Sequence, residues 1–216
     1  MLTIDYYSDI LCIWAWIAQR RIEELNEQFS GKIIIRHHYM DIFGDVNNKM
    51  TTQWAAKGGY DGFAKHVNAA IENYAHAPVN PDVWRTCKPS TSANAHLFIK
   101  AVALTYSAEA ANTYAKIVRE AFFVHAMDIS QQDQLIKILT QQGLEKTPIL
   151  KTIAQGDAIA ALMNDYQTAK QLNLKGSPSY VMNDERQILY GNVGYRVLSA
   201  NVEELLKQVH HEASWC

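Results

Sequence analysis

Asp9-Ile-Leu-Cys12-Ile-Trp-Ala15-Trp16 lies between an apolar, aromatic run, Leu2-Thr-Ile-Asp-Tyr-Tyr7, and a segment of helical spacing from about Cys12 to Phe29. The order reads as strand, short loop and helix, with Cys12 in the first helical turn. At such a position the unpaired N–H groups and the positive end of the helix dipole favour an anion. The sequence therefore predicts a thiolate-prone cysteine of lowered pKa. Standing alone, a cysteine there would read as a small buried residue, since free Cys is among the most buried residue types.

A second feature, far along the chain, shifts the balance. In Gly176-Ser-Pro178-Ser-Tyr-Val-Met182 a proline opens an apolar run, at a strand start where its missing N–H is tolerated. A cysteine after the first strand and a proline before a late strand resemble the site of the DsbA-like branch of the thioredoxin-fold proteins. That branch takes in FrnE-type dithiol isomerases, 2-hydroxychromene-2-carboxylate isomerases and kappa-class glutathione transferases. The family pattern Asp-x-x-[Cys/Ser]-Pro-aromatic-[Cys/Ser]-aromatic falls on Asp9, Cys12, Ile13, Trp14, Ala15 and Trp16. The nucleophile is kept, and its partner is replaced by Ala15. Gly176-Ser177-Pro178 resembles the family's cis-proline loop, which faces the reactive sulfur. Ile188-Leu-Tyr-Gly191-Asn-Val-Gly-Tyr195-Arg-Val-Leu198 resembles its closing strand and last-helix entry. Asn94-Ala-His96-Leu97 and Ala121 to Ser130 resemble its helical segments.

The resemblance implies an α/β protein with a thioredoxin-like fold and a large inserted helical subdomain. Residues 1–41 and 176–216 would form the thioredoxin-like part and residues 42–175 the insertion. The patterning agrees. Lys32 to Tyr39 reads as a β-branched strand parallel to the first, joined to it by the helix that Gly31 stops. From Ile42 to Lys175 the chain reads as helix after helix. Thr51 to Ala75 is broken at Gly58-Gly59, and the proline-rich loop from Pro78 to Pro89 is expected to cross the surface. Helix starts are expected near Ser92 and Ser107, at a capping box of Ser130 with Asp133, and with Pro148 at a first helical position. Ser179 to Met182 and Gln187 to Tyr190 form a hairpin, followed by a helix from Val197 to Val209.

Composition narrows the function. Hydrophobic residues make up 48% and charged residues 19% of 216, with a net charge of −2 and no basic run. This is an ordinary globular balance that points away from nucleic acid and anionic membranes. No basic-then-apolar leader and no bilayer-length apolar span is present, and three scattered cysteines do not form a disulfide framework. A cytoplasmic location is the expectation.

Function turns on Ala15. Cys12 can form a mixed disulfide but has no second thiol at that spacing to resolve it, so an outside thiol must complete the cycle. The expectation is a monothiol thiol–disulfide oxidoreductase acting on a peptide or small-molecule thiol or disulfide, without a tightly bound cofactor and with glutathione as co-substrate. Cys12 is the expected nucleophile, and Trp14, Ala15, Trp16, Ser177 and Pro178 are expected to bind substrate or glutathione. Cys87 and Cys216 are alternative resolving thiols, read here as bystanders. Other readings are a glutathione-dependent transferase or isomerase of the kappa or chromene-carboxylate type, and a non-catalytic binding module. His96 matches a family position but reads as structural. His37 and His38 point to opposite faces of their strand, His210-His211 reads as solvated, and no cluster has metal spacing. Aromatic residues on the insertion are compatible with a homodimer.

Overall fold

The structure, a computed structural model, describes residues 1–207, so Val209, His210-His211 and Cys216 lie outside the described residues. Four strands form one sheet in the order β2-β1-β3-β4, with β1 Leu2–Ser8, β2 Ile33–Tyr39, β3 Ser179–Met182 and β4 Gln187–Tyr190. β1 and β2 run parallel, with Tyr6 opposite His37 and Tyr7 opposite His38, while β3 is antiparallel to both β1 and β4. α1 (Ile13–Gln28) makes the crossover between the parallel pair, and Gly31, at φ 72°, makes the turn that reverses the chain.

Alternation on β1 divides the core in two. Leu2, Ile4 and Tyr6 pack under α1 and α9 (Tyr195–Lys207) with Ile22, Leu25, Leu198 and Val202. Tyr7 faces the other side, against Met40, Ala169 and Val181. Each large aliphatic side chain removed from water here contributes roughly 1.5–3 kcal/mol. α9 starts at Tyr195, two residues earlier than the apolar spacing suggests, because Gly194 O already accepts from Val197 N and Leu198 N.

Between β2 and β3 run α2 (Val46–Asn48), a π turn (Lys49–Gln53), a 3₁₀ turn (Ala55–Lys57) and α3 (Gly59–Ile71). α4 (Ala93–Thr105), α5 (Ala108–Phe123), α6 (Gln132–Gln141), α7 (Lys146–Ala154) and α8 (Asp157–Gln171) follow. The break at Gly58 has a clear cause, since its φ of 92° is open to glycine and strained for other residues. α4 is the centre of this block, packed against α5, α7 and α8, and buries Ala95, Phe98, Ile99 and Val102. One buried cluster joins these helices to Ile10, Leu11 and Cys12, so the turn that carries the cysteine is packed on one side by the helical block.

Three local expectations shift. Pro148 is the third residue of α7 rather than its first, still within the turn whose N–H groups lack intrahelical acceptors. The cap of α6 is Gln131, because the Ser130 hydroxyl instead donates to Asp128 Oδ1 at 2.6 Å. The Pro78 to Pro89 loop does not simply cross the surface. Trp84 is fully buried between Phe43, Phe63 and Phe122, and pins the loop into the core.

Candidate active site

Asp9 organises the turn between β1 and α1. Its Oδ1 accepts from Leu11 N–H at 2.9 Å, and its Oδ2 accepts from Ile42 N–H, Phe43 N–H and the Ser92 hydroxyl at 3.1, 2.9 and 2.8 Å. The Ser92 side chain is thereby drawn away from capping α4, which it precedes. Burial pushes the Asp9 carboxyl up to about 6 even though these donors pull it down. His96 holds the next residue: its Nε2 accepts from Ile10 N–H at 3.0 Å, which leaves Nδ1–H to donate to Tyr166 Oη at 2.9 Å. Burial, with Arg119 and Lys100 nearby, keeps this imidazole neutral. His96 is thus a positioning residue for the turn.

Cys12 is the N-cap of α1, and its own carbonyl accepts from Ala15 N–H and Trp16 N–H. Across from it lies the loop before β3. The Cys12 thiol donates to the Ser177 carbonyl at 3.2 Å, and the Ser177 hydroxyl accepts from Asp9 N–H at 2.9 Å. The Ser177–Pro178 bond is cis. The sulfur is therefore fixed against the proline loop from both ends of the chain.

The thiol itself differs from the sequence expectation. Cys12 is only 6% exposed, and burial pushes its pKa up rather than down. The Ser177 hydroxyl and the N–H groups of Ala15 and Trp14 favour the thiolate, and the Asp9 carboxylate opposes it. The helix start does supply N–H donors, but desolvation of the sulfur outweighs them. As folded, the site holds a neutral thiol with a set of donors ready for its anion.

Cys12 forms part of the wall of a cavity of about 430 Å³. Trp14 and Ile13 line it from α1, Asp41 to Phe43 from the β2 exit, Lys49, Gln53 and Trp54 from the turns, Phe63 and His66 from α3, and Lys175 to Ser177 from the proline loop. Lys49 lies over the Phe43 ring, 4.9 Å from its centroid, donates to Gln53 Oε1 and is close enough to Cys12 to feel its charge. Two lysines and one aspartate give the mouth a net positive character.

Of the residues singled out from sequence, Cys12, Trp14 and Ser177 meet in this cavity. Pro178 is buried beside it, its carbonyl accepting from Gly191 N–H at 2.7 Å. Ala15 and Trp16 are not on the wall. Ala15 is fully buried, and Trp16 stacks on Phe123 and donates from Nε1 to the Pro78 carbonyl, which turns both into the core. Cys87 is a free, buried thiol pushed up to about 12 by burial, with Asp128 and Asp82 adding to it, and it lies off this cavity. Among the described residues no group of His, Cys, Asp and Glu could hold a metal ion, and no helix is long and apolar enough to cross a membrane. Lys49 and His66 carry no motif that would have marked them in the sequence, and Trp54 stands there only in the apolar spacing of Thr51 to Ala75.

A family model, the DSBA-like thioredoxin domain, matches residues 3–203, so the chain belongs to that family. The ClpXP adapter protein SpxH of Halalkalibacterium halodurans is 23% identical over 95% of this chain and 68% of its own length. A candidate protein disulfide isomerase from Nitrosomonas europaea superposes with a TM-score of 0.81 at 16% identity, covering 97% of this chain and 99% of the other. The cytosolic disulfide reductase DsbM from Pseudomonas aeruginosa superposes with a TM-score of 0.70 at 17% identity, covering 95% and 98%, and has also been solved with GSH. At these identities the likenesses establish the shared fold.

Proposed function

We propose that this protein is a cytoplasmic monothiol thiol–disulfide oxidoreductase, with Cys12 as nucleophile and glutathione as the resolving thiol. The observation that carries the reading is the Cys12 sulfur, 3.2 Å from the Ser177 carbonyl on the wall of an open cavity, with alanine three residues on. Cys12 gives up its proton and its thiolate attacks one sulfur of R–S–S–R. A bond forms between Cys12 Sγ and that sulfur, the S–S bond of the substrate breaks, and the departing R–S⁻ takes up a proton. A glutathione thiolate then attacks the R sulfur, leaving G–S–S–R and restoring the Cys12 thiolate. A second glutathione thiolate then exchanges with G–S–S–R to give G–S–S–G and R–S–H, so one substrate disulfide is reduced and two glutathiones are oxidised to one disulfide.

The Ser177 hydroxyl, the α1 N–H groups and Lys49 stabilise the anion that burial disfavours. Lys49 and Lys175 suit the carboxylates of glutathione, Trp14 offers an apolar wall, and the Ser177 backbone offers strand-like pairing to an extended peptide. The DsbM structure with GSH supports the choice of thiol.

The test is glutathione-dependent reduction of a small disulfide, coupled to glutathione reductase. The wild type and Cys87→Ser should turn over, and Cys12→Ser should fall to background. A wild-type rate at background, in a correctly folded protein, would contradict the reading and leave a binding module.

A further inference from the structure

Away from Cys12, α1, β2 and α5 enclose a second cavity of about 430 Å³ with Arg119 on its wall. Arg119 is 2% exposed, and its guanidinium donates only to neutral groups, to Gln19 Oε1 at 3.1 Å and to Ser8 Oγ at 2.7 Å. Its Nε is buried with no partner, and no ion pair of Arg119 is found among the described residues. A buried guanidinium without a carboxylate is costly, and a bound anion relieves that cost. His37, on the same wall, stays neutral because burial and Arg119 hold its pKa down at about 3, which leaves Arg119 to hold the anion.

His37, Ile35 and Asn112 also line a neighbouring groove of about 320 Å³. Its wall is built from Ile99, Ala103, Ala108 and Ala111, and its charged lining groups, Arg36 and Lys100, are held by Asp5 and Asp165. A pocket walled by a buried arginine, sharing Ile35, His37 and Asn112 with an apolar groove, matches an acid with an aliphatic tail. The rim of the first cavity carries Glu109, and Glu23 paired with Lys116 at 2.6 Å, which disfavours a dianion.

We propose that these adjoining cavities bind a medium-chain monocarboxylate, its head on Arg119 and its tail along the α4–α5 groove. The site is independent of the thiol chemistry at Cys12.

Isothermal titration of the full chain with octanoate, octan-1-ol and octylammonium tests this. Octanoate should bind with one-to-one stoichiometry, and the alcohol and the ammonium at least about tenfold more weakly, the size of a lost charge-assisted pair. Arg119→Met should lose about tenfold in octanoate affinity. Should that variant not fold, Ala103→Phe, a half-buried position that would fill the groove, serves in its place and should also weaken binding. Cys12→Ser should bind octanoate as the wild type does. Absence of octanoate binding, equal binding of octylammonium, or loss of binding in Cys12→Ser would overturn the proposal.

Discussion

The backbone N–H of Asp9 donates to the hydroxyl of Ser177, 168 positions later in the chain, at 2.9 Å. Through this bond the turn that carries Cys12 and the loop that carries Pro178 are held as one unit. Since Ser177 Oγ accepts there, its own hydrogen is free to turn toward the sulfur when the thiol ionises. Ser177→Ala should therefore raise the Cys12 pKa and slow alkylation by iodoacetamide at a given pH. In the wild type the alkylation rate should still climb at pH values above the ordinary thiol range, since burial pushes this thiol up. A rate already at its plateau at neutral pH would contradict this.

Lys49, on the π turn Lys49–Gln53, is a cation of the cavity wall that Cys12 shares. Lys49→Met should slow glutathione-dependent turnover by about two- to fivefold, the scale of one half-screened charge interaction, with little change in melting temperature. An equal loss for a disulfide substrate reduced by an uncharged thiol would assign the effect to the Cys12 thiolate. A loss seen only with glutathione would assign it to glutathione's carboxylates.

Ser92→Ala removes one of the four donors to the buried Asp9 carboxylate. Hydrogen bonds to charged groups contribute about 1.5–3 kcal/mol. In a chain of this size each kcal/mol corresponds to roughly 2–4 °C. Differential scanning calorimetry should show a drop of about 3–12 °C.

His38 gives the fold a pH signature. Burial pulls its pKa down, but the carboxylates of Asp165 and Asp5, 3.0 and 2.8 Å away, more than reverse that, and the net shift is upward from 6.5. A raised histidine stabilises the fold fully below the unfolded value of about 6.5, and the contribution is lost as pH rises through the folded pKa. Urea midpoints should therefore decline as pH climbs above 6.5, and His38→Gln should flatten that decline. Asp5 acts at the other end: although burial raises it, His38 and Arg36 bring it down to about 2, so its contribution fades as pH falls from about 4 toward 2.

Ala15→Cys tests the reading of the active-site sequence. A thiol at this buried position in the first turn of α1 should form a bond with Cys12 under mild oxidation and shorten the life of a Cys12 mixed disulfide without added glutathione. Quenched-flow mass spectrometry would show an unchanged lifetime if the position cannot reach.

The four strands and the crossover helix were legible because each has a local signal, and the facing of Cys12 and the proline loop followed from the family resemblance. Apolar alternation marks β1, 3.6-residue spacing marks α1, and proline before an apolar run marks β3. The walls of the site were not legible. Lys49 and Trp54 come from a π turn and the residue after it, and His66 from α3, whose apolar spacing marks the helix but not which side chains reach the cavity. Trp16 and Ala15 stand in the motif yet face the core, because helical rotation turns positions three and four away from the cavity that Cys12 meets. The Ser92 start was legible, but the partner of its hydroxyl was not, since Asp9 reaches it only through tertiary packing. The direction of the Cys12 pKa shift was missed for a similar reason. Sequence shows the helix start and its donors, whereas the desolvation that outweighs them depends on side chains distant in the chain.

The proposed cycle has one sulfur, Cys12, exchange disulfides and an outside thiol resolve it. Intact-mass spectrometry after treatment with oxidised glutathione tests that most directly. A single glutathione adduct is expected, mapped to Cys12, removed by reduced glutathione and absent from Cys12→Ser. No adduct on the folded wild type, or an equal one on Cys12→Ser, would contradict it.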